Sequence, residues 1–348
     1  MVKDGEFGGI RWIVASGPAD EVFGQLGELA RDEIGVIASD DEATRLRRHA
    51  DAHPELLTAV TQASAAACPQ AWAELAAMAD GAGQPAETLA LLNCRGDLAA
   101  VASGGAGENC SDLAWHGTRS FIAHNEDEPV SYLGKCALLT LHLDGQQPVT
   151  AYWVPGFLPA NAFSIAGEPG AVVVISVDHL TVSVPARAPG RAFVARELQR
   201  RATSVATAIE FLETHPSAGG FSYTIGDRTG RVVIAEAAAG KCALAEVSDL
   251  AWHTNHGRLN DAADSSTRGT SVKRGEILDA LEPPEEPDHD WFLDALATVR
   301  ANPAGAMIAA TLCTFVAELT TAQIVICDRD ASPQHLSFVD FLTGPPLT

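Results

Sequence analysis

The residues best able to act as nucleophiles in this chain are its seven cysteines, and one of them has an unusual position. Cys110 follows the glycine-rich stretch 103–107, at the point where strand-like sequence begins. The other six lie in apolar or helical surroundings that are typical of small buried hydrophobes. A nucleophilic thiol must be reachable and needs a base or a positive group that generates the thiolate. A loop at a strand end suits these needs better than a helix interior, so Cys110 is the candidate nucleophile, with an ordinary buried thiol as the alternative that stays open.

A run of polar residues follows Cys110 at a distance that suits a hairpin. Residues 121–128, Phe-Ile-Ala-His-Asn-Glu-Asp-Glu, come 11 to 18 positions later, which is enough chain for a turn and a returning strand. Such a hairpin would place Glu126, Asp127 and Glu128 beside Cys110. Three consecutive acids are also typical of a solvated turn, and that alternative stays open. Asn125 adds a neutral hydrogen-bonding group next to them.

The segment 252–256, Trp-His-Thr-Asn-His, forms a third polar cluster. His253 and His256 are three positions apart and could bind a metal ion. No carboxylate or cysteine stands at a convincing spacing from them, so we expect no metal. Asn255, at a strand end, could instead donate an amide N–H to a developing oxyanion.

The elements that would position these residues change character along the chain. Residues 19–102 have helical periodicity, with prolines where helices would begin, and this pattern stops at the glycine-rich stretch. Strand-like and helical runs then alternate in groups, which predicts an α+β fold of antiparallel sheets covered by helices. The predicted strands are 120–124, 137–143, 150–154, 171–177, 221–225, 232–235, 243–247, 251–254, 312–316, 324–327 and 336–339, and the predicted helices are 193–201, 205–213, 272–281 and 291–299.

The composition limits the classes of protein that remain. The 348 residues include 45 acids and 23 Lys or Arg, which gives a formal charge of −22, and both 1–109 and 110–348 are acidic. Such a surface repels phosphate backbones and anionic lipid, so we expect no nucleic-acid or membrane partner. A hydrophobic content of 47% excludes a disordered chain. An odd number of cysteines without a C-x-x-C pair, and an N-terminus without a secretory signal, predict a cytoplasmic protein with free thiols.

Several motifs occur in one order along nearly the whole chain. They are Leu-Leu-Asn-Cys-Arg-Gly-Asp at 91–97, Asn-Cys-Ser at 109–111, Ala-His-Asn-Glu-Asp at 123–127, Pro-Gly-Phe at 155–157, Arg191, Gly-Asp-Arg-Thr-Gly at 226–230, Ile-Ala-Glu at 234–236, His-Thr-Asn-His at 253–256, Ser-Ser-Thr-Arg at 265–268, and a strand pair within 311–327. Together they resemble the acyl-coenzyme A:isopenicillin N acyltransferase family of self-processing cysteine N-terminal-nucleophile (Ntn) hydrolases.

This resemblance implies a fold and a precursor. The fold would be a four-layer αββα Ntn-hydrolase sandwich with a helical N-terminal segment. The chain would cleave itself between Asn109 and Cys110, and a helical α chain, 1–109, would stay bound to a catalytic β chain, 110–348. The α-amine released on Cys110, with a reference pKa of ~7.7–8.0, could then accept the thiol proton.

The resemblance also implies roles for individual residues by position. Cys110 would be the nucleophile of both cleavage and turnover, Asp127 would orient the new amine, and Asn255 would stabilise the oxyanion. Further candidates for substrate binding or orientation are Asn125, Glu126, His256, Arg191 and Arg268.

The expected activity is that of a cysteine amidohydrolase or acyltransferase. The enzyme would form an acyl-Cys110 intermediate from the amide or thioester of a small N-acyl compound and pass the acyl group to water or an amine. Its partners would be that acyl donor, the amine, and the α and β chains of one precursor. No cofactor is expected, and acyl-coenzyme A enters through the resemblance as a possible substrate. Two alternatives stay open: an unprocessed hydrolase in which His124 or His256 is the base, and a non-enzymatic binding protein on the Ntn fold.

Overall fold

The computed structural model describes residues 1–98, 110–168, 171–183, 185–265, 270–301, 309–329 and 331–346. The strands in chain order are β1 (Val2–Phe7), β2 (Ile10–Gly17), β3 (Ser111–His116), β4 (Ser120–Pro129), β5 (Ala137–Leu143), β6 (Val149–Trp153), β7 (Ser164–Ala166), β8 (Val173–Leu180), β9 (Gly220–Asp227), β10 (Val232–Ala238), β11 (Lys241–Glu246), β12 (Ala251–His253), β13 (Ala309–Glu318), β14 (Gln323–Asp328) and β15 (Gln334–Ser337). The helices in chain order are α1 (Ala19–Leu29), α2 (Arg31–Ile37), α3 (Asp41–Ala52), α4 (Pro54–Ala67), α5 (Pro69–Ala82), α6 (Ala86–Asn93), α7 (Arg191–Arg201), α8 (Val205–Thr214), α9 (Ser271–Asp279), α10 (His289–Ala297) and α11 (Phe338–Thr343). Across the described ranges, no helix has both the length and the apolar character needed to cross a bilayer.

The strands within these ranges form two sheets. The large sheet has nine strands in the order β1-β2-β5-β6-β7-β8-β9-β10-β11, and the small sheet has six in the order β12-β3-β4-β13-β14-β15. Neighbouring strands run antiparallel, including the predicted hairpin of β9 and β10. The exception in the described part of the chain is the pair β2 and β5, which run parallel.

The two sheets pack face to face and carry helices on their outer faces. Ile122 of the small sheet and Val174 of the large sheet belong to one buried cluster between the sheets. Helices α1, α5, α7 and α8 cover the other face of the large sheet, where Phe23 and Ile175 share a second cluster. Helices α9 and α10 cover the other face of the small sheet through residues such as Phe292. The layers are therefore α, β, β and α, which confirms the predicted four-layer sandwich.

The N-terminal segment differs from the prediction of a helical 1–109. Helices α1 to α6 occupy the region predicted to be helical, but residues 2–7 and 10–17 form strands β1 and β2. The sequence of β2, Ile-Arg-Trp-Ile-Val-Ala-Ser-Gly, is rich in β-branched and aromatic residues, which favour strands. Trp12 and Ile13 are fully buried on opposite faces of the large sheet. The N-terminal segment thus contributes two strands as well as its helices.

The end of the chain also differs in part. Residues 336–339 are predicted as a strand, whereas β15 ends at Ser337 and α11 begins at Phe338. The Ser337 hydroxyl accepts the N–H of Asp340, and the Asp340 carboxylate accepts the N–H of Ser337. This reciprocal capping box is a helix-start signal, and it outweighs the strand preference of Val339.

Candidate active site

Cys110 directly precedes β3, at the open end of the hairpin that β3 forms with β4. Ser111 pairs with Asn125 in this hairpin, so the chain brings Cys110 next to Glu126 and Asp127. The Cys110 Sγ atom lies 3.7 Å from Oε2 of Glu126 and 3.9 Å from the carbonyl oxygen of Asp127. The prediction that a hairpin places these acids beside Cys110 is confirmed.

The three consecutive acids of β4 are buried rather than solvated. Glu126, Asp127 and Glu128 are each no more than 1% exposed. Side chains alternate along a strand, so Glu126 and Glu128 face the large sheet and Asp127 faces the helix side. Glu128 forms an ion pair with Arg95 of the N-terminal segment, with 2.6 Å between Oε1 and Nη2.

His124 lies between two carboxylates in the space between the sheets. Its Nδ1 is 2.6 Å from Oδ1 of Asp112, and its Nε2 is 2.9 Å from Oε2 of Glu126. The other oxygen of Asp112 accepts hydrogen bonds from the hydroxyls of Ser176 and Thr224, which belong to the large sheet. We call Asp112, His124 and Glu126 the thiol-side bridge.

The charges of this bridge change the proton affinities around it. Burial alone lowers the pKa of His124, but the charges and hydrogen bonds of Asp112 and Glu126 together raise it well above its usual value. Burial raises the pKa of the Cys110 thiol well above its ordinary range, and nearby carboxylates, Glu126 first, raise it further. The buried thiol therefore strongly favours its protonated form, and a reaction at sulfur requires a group that takes the proton.

Asp127 lies against β13 on the helix side of β4. The Thr311 hydroxyl donates to its Oδ1, while its Oδ2 is buried without a hydrogen-bond partner among the described residues. Burial raises the pKa of Asp127 to about 7, although the Thr311 hydrogen bond and the positive charge of Arg274 lower it. This carboxyl group can therefore change protonation state near neutral pH.

Arg274 is a site residue that the sequence reasoning missed. Its Nη1 donates to the carbonyl oxygen of Cys110 and, at 2.6 Å, to the Ser111 hydroxyl. Its Nη2 donates to Oδ1 of Asn255 at 2.7 Å. The guanidinium thus joins the proposed nucleophile to the proposed oxyanion donor. A signal existed, because residues 271, 274, 275 and 278 form the buried face of α9 at helical spacing, and one of them is this arginine.

Asn255 follows β12, the edge strand of the small sheet. Its Nδ2 donates one hydrogen bond to the carbonyl oxygen of His179 at 3.2 Å, which leaves a second amide hydrogen for another acceptor. The segment is held by His253, whose Nδ1 lies 3.1 Å from Oδ2 of Asp178 and whose Nε2 lies 2.9 Å from Oε1 of Glu236. We call Asp178, His253 and Glu236 the edge-strand bridge.

Glu236 is more fully bonded than its counterpart Glu126. Its two oxygens also accept the main-chain N–H groups of Arg258 and Asn260. Although burial raises the pKa of Glu236, these bonds and His253 give a net lowering. Burial lowers the pKa of His253, but hydrogen bonds and charges from both carboxylates raise it to about 9.

Other predicted site residues lie elsewhere around this region. Asn125 binds the carbonyl oxygen of Leu296 and the Thr314 hydroxyl on the helix side of the small sheet. The Nδ1 atom of His256 is within hydrogen-bond distance of the hydroxyls of Thr254 and Ser271, and burial lowers its pKa. Asn109 and Arg268 lie outside the described residues.

Arg191 begins α7, and its side chain binds main-chain carbonyl oxygens of the large sheet. Its Nη1 donates to the carbonyl oxygens of Leu180 and Gly220, and its guanidinium lies 4.5 Å from the centre of the Phe221 ring. Its own N–H donates to Asp97. These contacts fasten α7 to the large sheet.

Metal-ligand side chains come together in the described part of the site in two overlapping buried groups. One consists of Cys110, His124 and Glu126, and the other of Asp112, His124 and Asp178, each with its ligand atoms within 4.8 Å of one another. The pair considered from sequence, His253 and His256, is not among them. Both ring nitrogens of His253 already face carboxylates.

Comparison with models of known families identifies the family to which this chain belongs. The family model described as acyl-coenzyme A:6-aminopenicillanic acid acyl-transferase matches residues 115–321, more than half of the chain. The chain belongs to this acyltransferase family. The matched region starts after Cys110, and it includes the thiol-side residues of β4, the whole edge-strand bridge, Asn255 and Arg274. The resemblance inferred from the motif order is confirmed.

Two solved structures illustrate what the chain is similar to. A mutant conjugated bile acid hydrolase from Clostridium perfringens is 14% identical over 69% of this chain and 95% of its own, with a TM-score of 0.44. Penicillin V acylase from Agrobacterium tumefaciens is 12% identical over 69% of this chain and 90% of its own, with a TM-score of 0.43. A search of curated proteins by sequence finds no match.

Proposed function

We propose that this acyltransferase-family chain is a self-processing cysteine amidohydrolase or acyltransferase that works through an acyl-Cys110 intermediate. The observation that carries the proposal is the position of Cys110. It directly precedes β3, with its sulfur against Glu126 and Asp127 and its carbonyl oxygen held by Arg274. No other described cysteine combines a strand start with neighbouring carboxylates and a buried cation.

Self-processing begins with the thiol of the intact chain. As the S–H proton leaves, sulfur attacks the Asn109 carbonyl carbon, the bond from that carbon to the Cys110 nitrogen breaks, and the nitrogen takes up a proton. Water then hydrolyses the resulting thioester. The products are chains 1–109 and 110–348, and Cys110 carries a free α-amine. That amine has a reference pKa of ~7.7–8.0, so it can serve as the base of later turnovers.

Turnover uses the same sulfur on an external acyl donor. The α-amine takes the thiol proton, sulfur attacks the donor carbonyl, and the amine returns the proton to the leaving nitrogen or sulfur. The free amide hydrogen of Asn255 is suited to stabilise the oxyanion, because its Oδ1 is fixed by Arg274. Asp127 is suited to orient the amine, because its main chain already contacts the thiol. Arg274 is a positioning residue in this scheme.

We propose as substrates small N-acyl amides or acyl thioesters, acyl-coenzyme A among the latter, and as acceptors water or an amine. The proposal follows from family membership and from the single thiol at the site. The free state of all seven cysteines fits the reducing cytoplasm, which we propose as the location.

Intact-mass analysis of the purified chain tests self-processing. We expect two products ending at Asn109 and starting at Cys110 for the unmodified protein, and one uncut chain for Cys110→Ala. Cys94→Ser is the matched control, because Cys94 is equally buried but lies on the N-terminal segment. An uncut protein that retains full activity would replace the proposal with the unprocessed Cys-His hydrolase.

That second candidate has one observation in its favour. Cys110 Sγ and His124 Nε2 both contact Oε2 of Glu126, so an imidazole lies one carboxylate away from the thiol in the uncut chain. Incubation with a panel of acyl donors followed by mass spectrometry reports the adduct and the cleavage state together. An adduct on the 110–348 chain supports the self-processing enzyme, and an adduct on the 1–348 chain supports the second candidate.

A further inference from the structure

The thiol-side bridge has the arrangement of a metal-binding histidine with its supporting carboxylate. His124 directs Nδ1 to Asp112 and Nε2 towards Glu126 and Cys110. Metal-ligating histidines commonly donate one ring N–H to a carboxylate, which orients the ring and leaves the other nitrogen for the metal. Asp112 is itself held by the hydroxyls of Ser176 and Thr224, so the ring orientation is fixed from the facing sheet.

Glu126 provides a second and independent indication of a ligand. Its side chain is fully buried, and its Oε1 atom has no hydrogen-bond partner among the described residues. A buried carboxylate oxygen without a partner is unfavourable, because it has lost its water and gained nothing in return. A cation bound to the Glu126 carboxylate through Oε2, between His124 and Cys110, would compensate the charge that the protein leaves without a partner at Oε1.

We propose that Cys110 Sγ, His124 Nε2 and the Glu126 carboxylate form a zinc-binding site. Zinc bonds of about 2.0–2.3 Å place the ligand atoms of a tetrahedral site about 3.3–3.7 Å apart. The observed separations from Glu126 Oε2 are 3.7 Å to sulfur and 2.9 Å to the imidazole, and all three ligand atoms lie within 4.8 Å of one another. Small side-chain movements therefore complete the site, with water in the fourth position.

The ligand set favours zinc over the hard cations. Thiolate and imidazole ligands suit zinc, whereas magnesium and calcium take oxygen ligands. One thiolate and one carboxylate also neutralise the two positive charges of the ion. The other buried group, Asp112 with His124 and Asp178, is less suitable because both oxygens of Asp112 are already hydrogen-bonded.

Zinc at this site would hold the enzyme in an inactive form. Binding displaces two protons to solvent, the S–H proton of Cys110 and the proton held between His124 Nε2 and Glu126 Oε2. The S–Zn bond forms with the sulfur electron pair that would otherwise attack a carbonyl. The ion therefore competes with both self-cleavage and acyl transfer. This regulatory consequence rests on the proposed function, but the metal site itself rests only on the three side chains.

Titration of the full chain with metal tests the site directly. Chelator-treated protein is titrated with Zn²⁺ in a calorimeter and, separately, with Co²⁺ while the absorption is recorded. We expect one ion per chain and a thiolate-to-cobalt charge-transfer band, which requires a sulfur ligand. Absence of the band in folded unmodified protein overturns the proposal without the need for any variant.

Variants identify the ligands. Cys110→Ser, His124→Gln and Glu126→Gln should each weaken zinc binding by more than about 100-fold, and Asp112→Asn, which supports a ligand, by about 10- to 100-fold. Cys94→Ser and His116→Gln are the matched controls and should bind like the unmodified chain. Unchanged zinc affinity in Cys110→Ser overturns the proposal. Cleavage at Cys110 without zinc binding would overturn this site alone. A chain that binds zinc but stays uncut after the metal has been removed by a chelator would overturn self-processing alone.

Discussion

Two imidazoles in this protein, His124 and His253, are each held between two buried carboxylates, yet their surroundings differ. In the edge-strand bridge, Glu236 also accepts two main-chain N–H groups, so both of its oxygens are hydrogen-bonded. In the thiol-side bridge, Glu126 contacts the Cys110 sulfur and keeps one oxygen without a partner in the described structure. A histidine between two carboxylates thus holds strand β12 in the edge-strand bridge. In the thiol-side bridge, the same arrangement lies next to the Cys110 sulfur.

The difference teaches that a perturbed pKa does not by itself mark a reactive site. Both histidines have raised pKa values for the same physical reason, namely two neighbouring carboxylates. What separates the bridges is the thiol, since each bridge has one carboxylate oxygen without a partner in the described structure, Oε1 of Glu126 and Oδ1 of Asp178. In the proposed function the edge-strand bridge would also matter for chemistry, because the proposed oxyanion donor Asn255 lies two residues beyond His253.

The largest expected effect comes from removing the thiol. Cys110→Ala should lower the rate of acyl transfer or hydrolysis by at least about 1000-fold, because the acyl-enzyme cannot form. The measurement is turnover of an N-acyl amine panel with the folded state checked by circular dichroism. If Cys110→Ala retained turnover within tenfold of the unmodified enzyme, Cys110 would not be the nucleophile. The thiol-side bridge would then have only a structural role, like the edge-strand bridge.

The next largest effect concerns stability and the edge-strand bridge. His253→Ala leaves Asp178 and Glu236 buried without their shared partner, and breaking such a pair typically costs about 3–5 kcal/mol. Urea denaturation measures the change in the free energy of unfolding. A loss below about 1 kcal/mol would mean that the main-chain bonds of Glu236 alone hold β12.

Asn255→Ala tests whether the residue held in place by the edge-strand bridge takes part in the reaction at Cys110. Removal of an oxyanion donor typically lowers kcat by about 100- to 1000-fold, or ~2.7–4 kcal/mol of transition-state stabilisation. We expect this loss in kcat with KM nearly unchanged, since the donor acts on charge that develops during the reaction. A rise in KM at constant kcat would assign Asn255 to substrate binding instead.

The pH dependence of the free energy of unfolding reports the contribution of His253 in the edge-strand bridge. The folded-state pKa of His253 is raised to about 9, above its unfolded value of ~6.5, so folding binds a proton. Its contribution is fully present below pH ~6.5 and is lost as the pH rises through about 9. The measurement is the free energy of unfolding of the unmodified protein and of His253→Gln from pH 6 to 10. The difference in the free energy of unfolding between the two proteins should decrease as the pH rises. A difference that stays constant would contradict the raised pKa of His253.

The smallest expected effect is that of Arg274→Lys. Lysine keeps the positive charge but cannot span Cys110, Ser111 and Asn255 with one planar group. We expect kcat to fall by about tenfold, or ~1.4 kcal/mol, with a larger fall in Arg274→Ala. Equal kcat in the lysine variant and the unmodified enzyme would show that charge alone, rather than positioning, is needed.

Sequence reasoning found the hairpin around Cys110 because its parts are close in the chain. A turn, a returning strand and three acids 16 to 18 residues after a cysteine are local features. The burial of those acids was not predictable in the same way, since it depends on a second sheet that covers β4. Both partners of His253, Asp178 and Glu236, come from other strands, one of them 75 positions away, and no periodicity signals such contacts.

The N-terminal strands were missed for a similar reason. β1 and β2 precede a long helical region, and a lone apolar run there has no neighbouring strand in sequence to suggest a sheet. Their place became evident only from the parallel pairing of β2 with β5, more than a hundred residues later. Arg274, by contrast, lies within the predicted helix 272–281, where helical spacing could have indicated a buried position. The sequence reasoning named Arg268 as the candidate instead.

The pairing of β2 with β5 has a consequence for any cut before Cys110. Residues on the two sides of the cut would remain joined by a ladder of main-chain hydrogen bonds from Trp12 with Leu138 to Gly17 with Leu143. Peptide groups carry no net charge, so high salt would leave this ladder of hydrogen bonds in place. A 110–348 chain made alone would instead present β5 as a bare sheet edge, a surface on which other strands assemble. If the proposed cut occurs, the N-terminal piece would therefore remain as a permanent subunit.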